Sequence, residues 1–257
     1  SPAAPAGWSS STPTPNPSFQ KDAPAPAAKD FDGVLTKLPN LPSVTGMNLK
    51  TELLKVFGLP VTVENDATAA AIGEAWIGAT RNARDSICVT LGTGIGGGII
   101  LNGEAHRGPD GSAGELGHFT VEPDGNPCKC GSRGCIEQYA SATAIVRMAA
   151  ENGLVRESAE YIYTHWQNGD ERAAAVFTSM GRYLGIVLAG LINTLNPDAI
   201  VICGGASAAW DAFYPSLRDE IHKRSYPAPA ARARIGRGEL GDNAGIIGVA
   251  RSAFLRM

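Results

Sequence analysis

The chain has 257 residues, 44% of them hydrophobic and 18% charged, with a formal net charge of −3. That length supports one large or two modest domains with real cores, and the slightly acidic balance predicts no nucleic-acid partner. No apolar run approaches about 18 residues and no basic-then-apolar leader is visible, so no membrane partner is predicted and a cytoplasmic location is expected.

Residues 1–30 are dense in Pro, Ala, Ser and Thr and carry no hydrophobic periodicity. An extended or disordered arm is expected there, with Trp8 and Phe19 as anchors for a surface. "NLKTELLKVFG" reads as an amphipathic helix, with Leu49, Leu53, Leu54 and Phe57 on one face and Gly58 as its stop. "LPVTVEN" reads as a short strand, and "DATAAAIGEAWIG" as a helix opening with Asp66 near its N-cap. "DSICVTLG" and "GGGIILNG" read as the two strands of a hairpin.

Beyond a cysteine-rich loop the chain turns helical. "SATAIVRMAAENG" and "ERAAAVFTSMGRYLGIVLAGLINTLNP" are the clear cases, the second apolar around so much of its circumference that a buried central helix is expected. "DAIVICGG" reads as a buried strand and "ARIGRGEL" as another, set between helices over "AAWDAFYPSLRDEIHKRS" and "NAGIIGVARSAFLRM". The alternation predicts an α/β protein with a sheet flanked by helices.

Three stretches carry chemistry. In "LGTGIGGG", Thr93, Gly94 and Gly96 lie in a run whose glycines let a backbone turn tightly and offer N–H groups to phosphate oxygens. A hairpin turn needing positive φ is the structural alternative. In "VENDA", Asn65 and Asp66 stand between a strand and a helix, where ligands of α/β folds gather. A carboxylate there can take a proton from an attacking hydroxyl, or merely cap the helix.

The third stretch holds three of the five cysteines. Cys88 and Cys203 sit in apolar runs and read as small core residues. An odd, clustered set argues against a disulfide framework and for metal or reduced thiols. His118, Cys128, Cys130 and Cys135 form a His-x9-Cys-x-Cys-x4-Cys series. Three thiolates and one imidazole make a closed tetrahedral zinc site, whose role is structural because no position is left for water. Glu115 and Glu137 flank this loop, and fixed carboxylates suit bidentate recognition of sugar hydroxyls.

Taken together, "VENDATAAAIGE", "LGTGIGGGIILNG", "GSAGELGH" and "CKCGSRGCIE" resemble the ROK family of bacterial sugar kinases, glucokinase among them, and sugar-responsive repressors. The resemblance runs from about residue 32 to the C-terminus. It implies an actin/hexokinase-like (ribonuclease H-like) α/β fold of two lobes around a cleft. It also implies Asp66 as the catalytic base, with Asn65, Glu115, His118 and Glu137 contacting the sugar, and His118 binding zinc as well. Thr93, Gly94 and Gly96 would face ATP phosphates, and Gly204 and Gly205 in "ICGGAS" would lie beside the adenosine, with Mg2+ as the accompanying ion.

The family's D-x-G-G-T stretch has no counterpart in the sequence. The expected organisation is therefore an arm over 1–30, an incomplete N-terminal lobe over 31–92, and a C-terminal lobe over 93–257 with its zinc loop at 115–137. Three functions follow as alternatives. The first is a glucokinase-like transfer of phosphate from ATP to a hexose. The second is hydrolysis of a glycoside or ester by a repurposed scaffold through Asp66, Glu115 and Glu137. The third is sugar binding without catalysis. The expected partners are a small-molecule sugar and a second copy of the chain, in a homodimer or larger homo-oligomer.

Overall fold

A computed structural model describes residues 33–34, 46–155 and 158–255. The expected arm over 1–30 lies outside the described residues. The helices are α1 (Leu49–Phe57), α2 (Asp66–Trp76), α3 (Glu137–Ala140), α4 (Ala142–Glu151), α5 (Ala159–Gln167), α6 (Glu171–Leu195), α7 (Trp210–Arg224), α8 (Pro227–Arg232) and α9 (Ala244–Phe254). The strands are β1 (Ser86–Leu91), β2 (Ile95–Leu101), β3 (Glu104–Ala105), β4 (Ala199–Cys203) and β5 (Arg234–Arg237).

The strands form one sheet in the order β3-β2-β1-β4-β5. β1 and β2 pair antiparallel, from Ser86 opposite Ile100 to Leu91 opposite Ile95, so the expected hairpin is present. β4 runs parallel to β1 on one side and to β5 on the other. The expected division at residue 92 falls in the turn of the hairpin, so β1 shares its sheet with β2.

Period-two alternation covers both faces of this sheet. Ile87, Val89 and Leu91 of β1 and Ile200 and Ile202 of β4 join a large core built on α6 and α7, with Phe177 and Phe213 fully buried in it. On the opposite face Cys88, Val201 and Cys203 pack under Ala70, Ala71 and Ala244 of α2 and α9. The two thiols lie 3.5 Å apart, and the Cys203 thiol together with burial pushes Cys88 well above its ordinary pKa.

Helix α6 is buried along most of its length, as its composition predicts. By length and composition it could cross a membrane, yet 67% of its most apolar window is buried against its own fold. Asp170 caps its first turn, and Asn196, at φ 49°, ends it.

One expectation fails. "LPVTVEN" is not a strand, because among the described residues no neighbouring strand offers it ladder hydrogen bonds. Helix α1 forms between the cap of Asn48 and the left-handed Gly58, but its apolar face is not buried. Leu54 and Phe57 are 47% and 65% exposed, since no described element packs on that face.

Candidate functional site

The C-terminal ends of the parallel strands β1 and β4 lie side by side, with Thr90 opposite Cys203. Both lead into glycine turns. Gly92 N–H donates to the Gly94 carbonyl at 2.9 Å, closing the turn that holds exposed Thr93. Gly204 adopts φ 83° against Leu91, where a Cβ would stand 2.5 Å from the Leu91 carbonyl oxygen, and exposed Gly205 opens a short 3-10 turn. The two glycine turns therefore share the crevice beyond the strand ends.

Four further elements converge on the 92–95 turn. Glu137, the first residue of α3, accepts the Ile95 N–H through Oε2 at 3.0 Å. The Ala142 N–H, at the start of α4, donates to the Gly92 carbonyl at 2.9 Å, and Thr143 Oγ1 donates to the Thr93 carbonyl at 2.9 Å. The 3-10 turn Leu116–His118, which follows Glu115, packs on the start of β2 at Ile95. The first turn of α2 sits over Gly96, where a Cβ would lie 2.8 Å from the Ala67 Cβ.

That last contact gives Gly96 a packing role. It lies in β2 rather than in the turn, and with Gly98 on the same face it admits the alanines of α2. At the head of α2 the N-cap is Asn65, not Asp66: Asn65 Oδ1 accepts the Thr68 N–H at 3.0 Å. Asp66 is the first helical residue, exposed, its Oδ1 accepting the Ala67 N–H at 2.8 Å. A carboxylate here faces the positive end of the helix dipole.

His118, Cys128, Cys130 and Cys135 come together, with all four candidate ligand atoms within 4.8 Å of one another. Cys128 Sγ is 3.7 Å from His118 Nδ1, and Cys130 Sγ is 3.7 Å from Cys135 Sγ. A tetrahedron with metal–sulfur bonds of about 2.3 Å has edges of about 3.7 Å, which these two pairs match. Burial pushes the Cys135 thiol up to about 12, whereas a hydrogen bond with the Ser132 backbone holds Cys130 below its ordinary range. The loop closes by backbone pairing, Cys128 N–H to the Ser132 carbonyl and Gly134 N–H to the Asn126 carbonyl. Gly134 has φ 67°, and a Cβ there would overlap the Glu122 carbonyl oxygen.

Two carboxyl groups escaped the sequence reading. Glu64, its side chain 3% exposed, accepts from Arg107 Nε at 2.9 Å and Nη2 at 2.6 Å, which anchors the stretch before Asp66. Glu74 is 0% exposed and accepts three backbone N–H groups, from Ala79 at 2.7 Å, Leu240 at 3.0 Å and Glu239 at 3.2 Å. It ties α2 to the segment that leads into α9. Both lie within "VENDATAAAIGE", but nothing in that stretch shows which groups they bind.

Comparison with known proteins places these features in a lineage. A model of the ROK family matches residues 24–254. The glucokinase of Halalkalibacterium halodurans is 40% identical over 215 residues, covering 78% of this chain and 65% of that protein. The xylose repressor of Caldicellulosiruptor bescii is 32% identical over 231 residues, covering 84% of this chain and 57% of that protein. The crystal structure of a ROK family glucokinase from Streptomyces griseus, in complex with glucose and AMPPNP, superposes with a TM-score of 0.75 at 36% identity, covering 87% of this chain and 77% of that one. The chain thus spans 65% of the length of the first relative and 57% of the second.

Proposed function

The chain belongs to the ROK family, with its actin/hexokinase-like α/β fold, and we propose that it is a sugar kinase that transfers the γ-phosphoryl group of ATP to a hexose hydroxyl. Asp66 takes the proton as the hydroxyl oxygen bonds to phosphorus and the bond to the leaving ADP breaks. Asn65, Glu115, His118 and Glu137 hold the sugar hydroxyls. The backbone at Thr93, Gly94 and Gly96 faces the phosphates, with Gly204 and Gly205 on the adenosine side. Magnesium, when bound with ATP, supplies charge neutralisation. Catalysis of this kind is largely positioning, and the observation that carries the reading is the meeting of α2, Glu137, the 116–118 turn and Gly204 around the 92–95 turn.

We assign the His118, Cys128, Cys130 and Cys135 cluster to a structural zinc ion. His118 can serve both metal and sugar, because Nδ1 faces Cys128 while Nε2 lies 3.9 Å from the Glu115 carboxylate. A homodimer in the cytoplasm completes the proposal, with the exposed apolar residues of α1 and α9 favouring association.

The test is an ATP-coupled assay with glucose, N-acetylglucosamine and N-acetylmannosamine, run beside chromogenic glycosides and esters. ADP release that depends on a sugar supports the kinase. Turnover of a glycoside or ester without ATP favours the hydrolase. Sugar binding without either turnover favours a non-catalytic sugar-binding protein, the reading that similarity to a xylose repressor supports.

A further inference from the structure

We propose that the chain carries a second carbohydrate subsite, a cavity of about 330 Å³ between α4 and α6 that takes a small uncharged mono- or disaccharide. Its volume lies at the lower end of small-molecule sites, which start near roughly 300 Å³. None of its lining groups is among those assigned to phosphoryl transfer, so the inference stands apart from the kinase reading.

The lining selects for neutral hydroxyl chemistry. Arg147 Nη1 and Glu151 Oε1 pair at 2.5 Å, and Arg147 Nη2 donates to the Gln138 carbonyl at 2.6 Å. The two charges offset one another at the rim, so neither stands as an unpaired charge for a phosphate or a cation. The side-chain amide of Asn126 and the hydroxyl of Ser179, both half-buried residues, line the cavity. An amide and a hydroxyl each donate and accept, which matches the dual character of sugar hydroxyls. The ring of Tyr183, its centroid 4.6 Å from that of Tyr139, adds a small apolar surface beside them.

The cavity also backs onto the metal loop. Tyr139 Oη accepts the Asn126 N–H at 2.9 Å, and Tyr183 Oη donates to Glu122 Oε1 at 2.8 Å. Asn126 and Glu122 hold the two sides of that loop through Gly134. Tyr139 lies on α3, whose first residue is Glu137. A sugar seated here therefore presses on the elements that position Glu137 and the metal ligands.

The experiment titrates the zinc-supplemented full chain, and its Glu137→Gln variant, with glucose, maltose and glycerol by calorimetry. Residual sugar binding is expected in Glu137→Gln. Adding Ala175→Trp, at an exposed position of the rim, or Ser179→Asp should weaken that residual binding at least tenfold, with circular dichroism and thermal midpoint unchanged in at least one of them. Wild-type phosphorylation, present or absent, does not alter this readout. Loss of all sugar binding in Glu137→Gln overturns the proposal, as does residual binding that neither rim variant weakens. Glycerol affinity equal to that of glucose overturns the carbohydrate assignment. A halved mass for Ala175→Trp in light scattering identifies the cavity as a subunit interface and overturns it as well.

Discussion

Replacing Glu74 by leucine keeps the side chain's bulk and removes its two acceptor oxygens. Three backbone N–H groups then lose their partner inside the fold, those of Ala79, Leu240 and Glu239. The bonds at 2.7 and 3.0 Å are firm, and the third at 3.2 Å is long, so two losses dominate. An orphaned buried donor costs about 1–3 kcal/mol. Release of the desolvation that the carboxyl group suffers offsets part of this. The expected net destabilisation is about 3 kcal/mol, which for a domain of this size lowers the thermal midpoint by roughly 6–12 °C. Differential scanning fluorimetry and circular dichroism on the full chain give the number. A midpoint within a degree or two of wild type would show that these amides find other acceptors, and that Glu74 does not clamp α2 to the approach of α9.

Elemental analysis should find one zinc per chain, and Cys130→Ser should lower both zinc content and soluble yield, since structural zinc contributes directly to folding; a zinc-free, fully stable protein removes the assignment. Asp66→Asn should cut sugar phosphorylation by about 10²–10⁴-fold, with an almost unchanged thermal midpoint because Asn65 provides the cap; retained turnover excludes Asp66 as the base. Gly134→Ala should prevent the metal loop from closing, seen as lost zinc on gel filtration, because its positive φ and the Glu122 carbonyl both exclude a side chain; wild-type zinc content would contradict this. Light scattering at micromolar concentration should give at least twice the mass of one chain, and a monomer mass would defeat the dimer.

What the sequence disclosed depended on how far apart the cooperating residues lie. The metal cluster was legible because three of its four ligands fall within eight residues and their chemistry is unmistakable. The β1–β2 hairpin and α6 were legible because alternation and composition are local signals. Glu74 was not, since two of its three donors are 165 and 166 positions away. The Glu64–Arg107 pair spans 43 positions, and neither neighbourhood shows that the two side chains meet. "LPVTVEN" was misread for a related reason: β-branched residues favour a strand, but only a paired neighbour makes one.

The glycine run illustrates how one local pattern can serve two physical ends. Read as letters, "LGTGIGGG" suggests a single phosphate-holding loop. In space its first part is a turn and its last part is strand β2. Gly96 and Gly98 face α2, while Gly97 faces Leu116 and the Gly114 carbonyl on the other side. Removing side chains from both faces of β2 lets α2 descend from above and the 114–118 segment from below. Asp66 heads the first of these and Glu115 and His118 belong to the second. These three glycines therefore decide how closely Asp66, Glu115 and His118 approach the turn. A larger residue at Gly97 would drive Leu116 and its neighbours away from β2, moving Glu115 and His118 without altering either side chain.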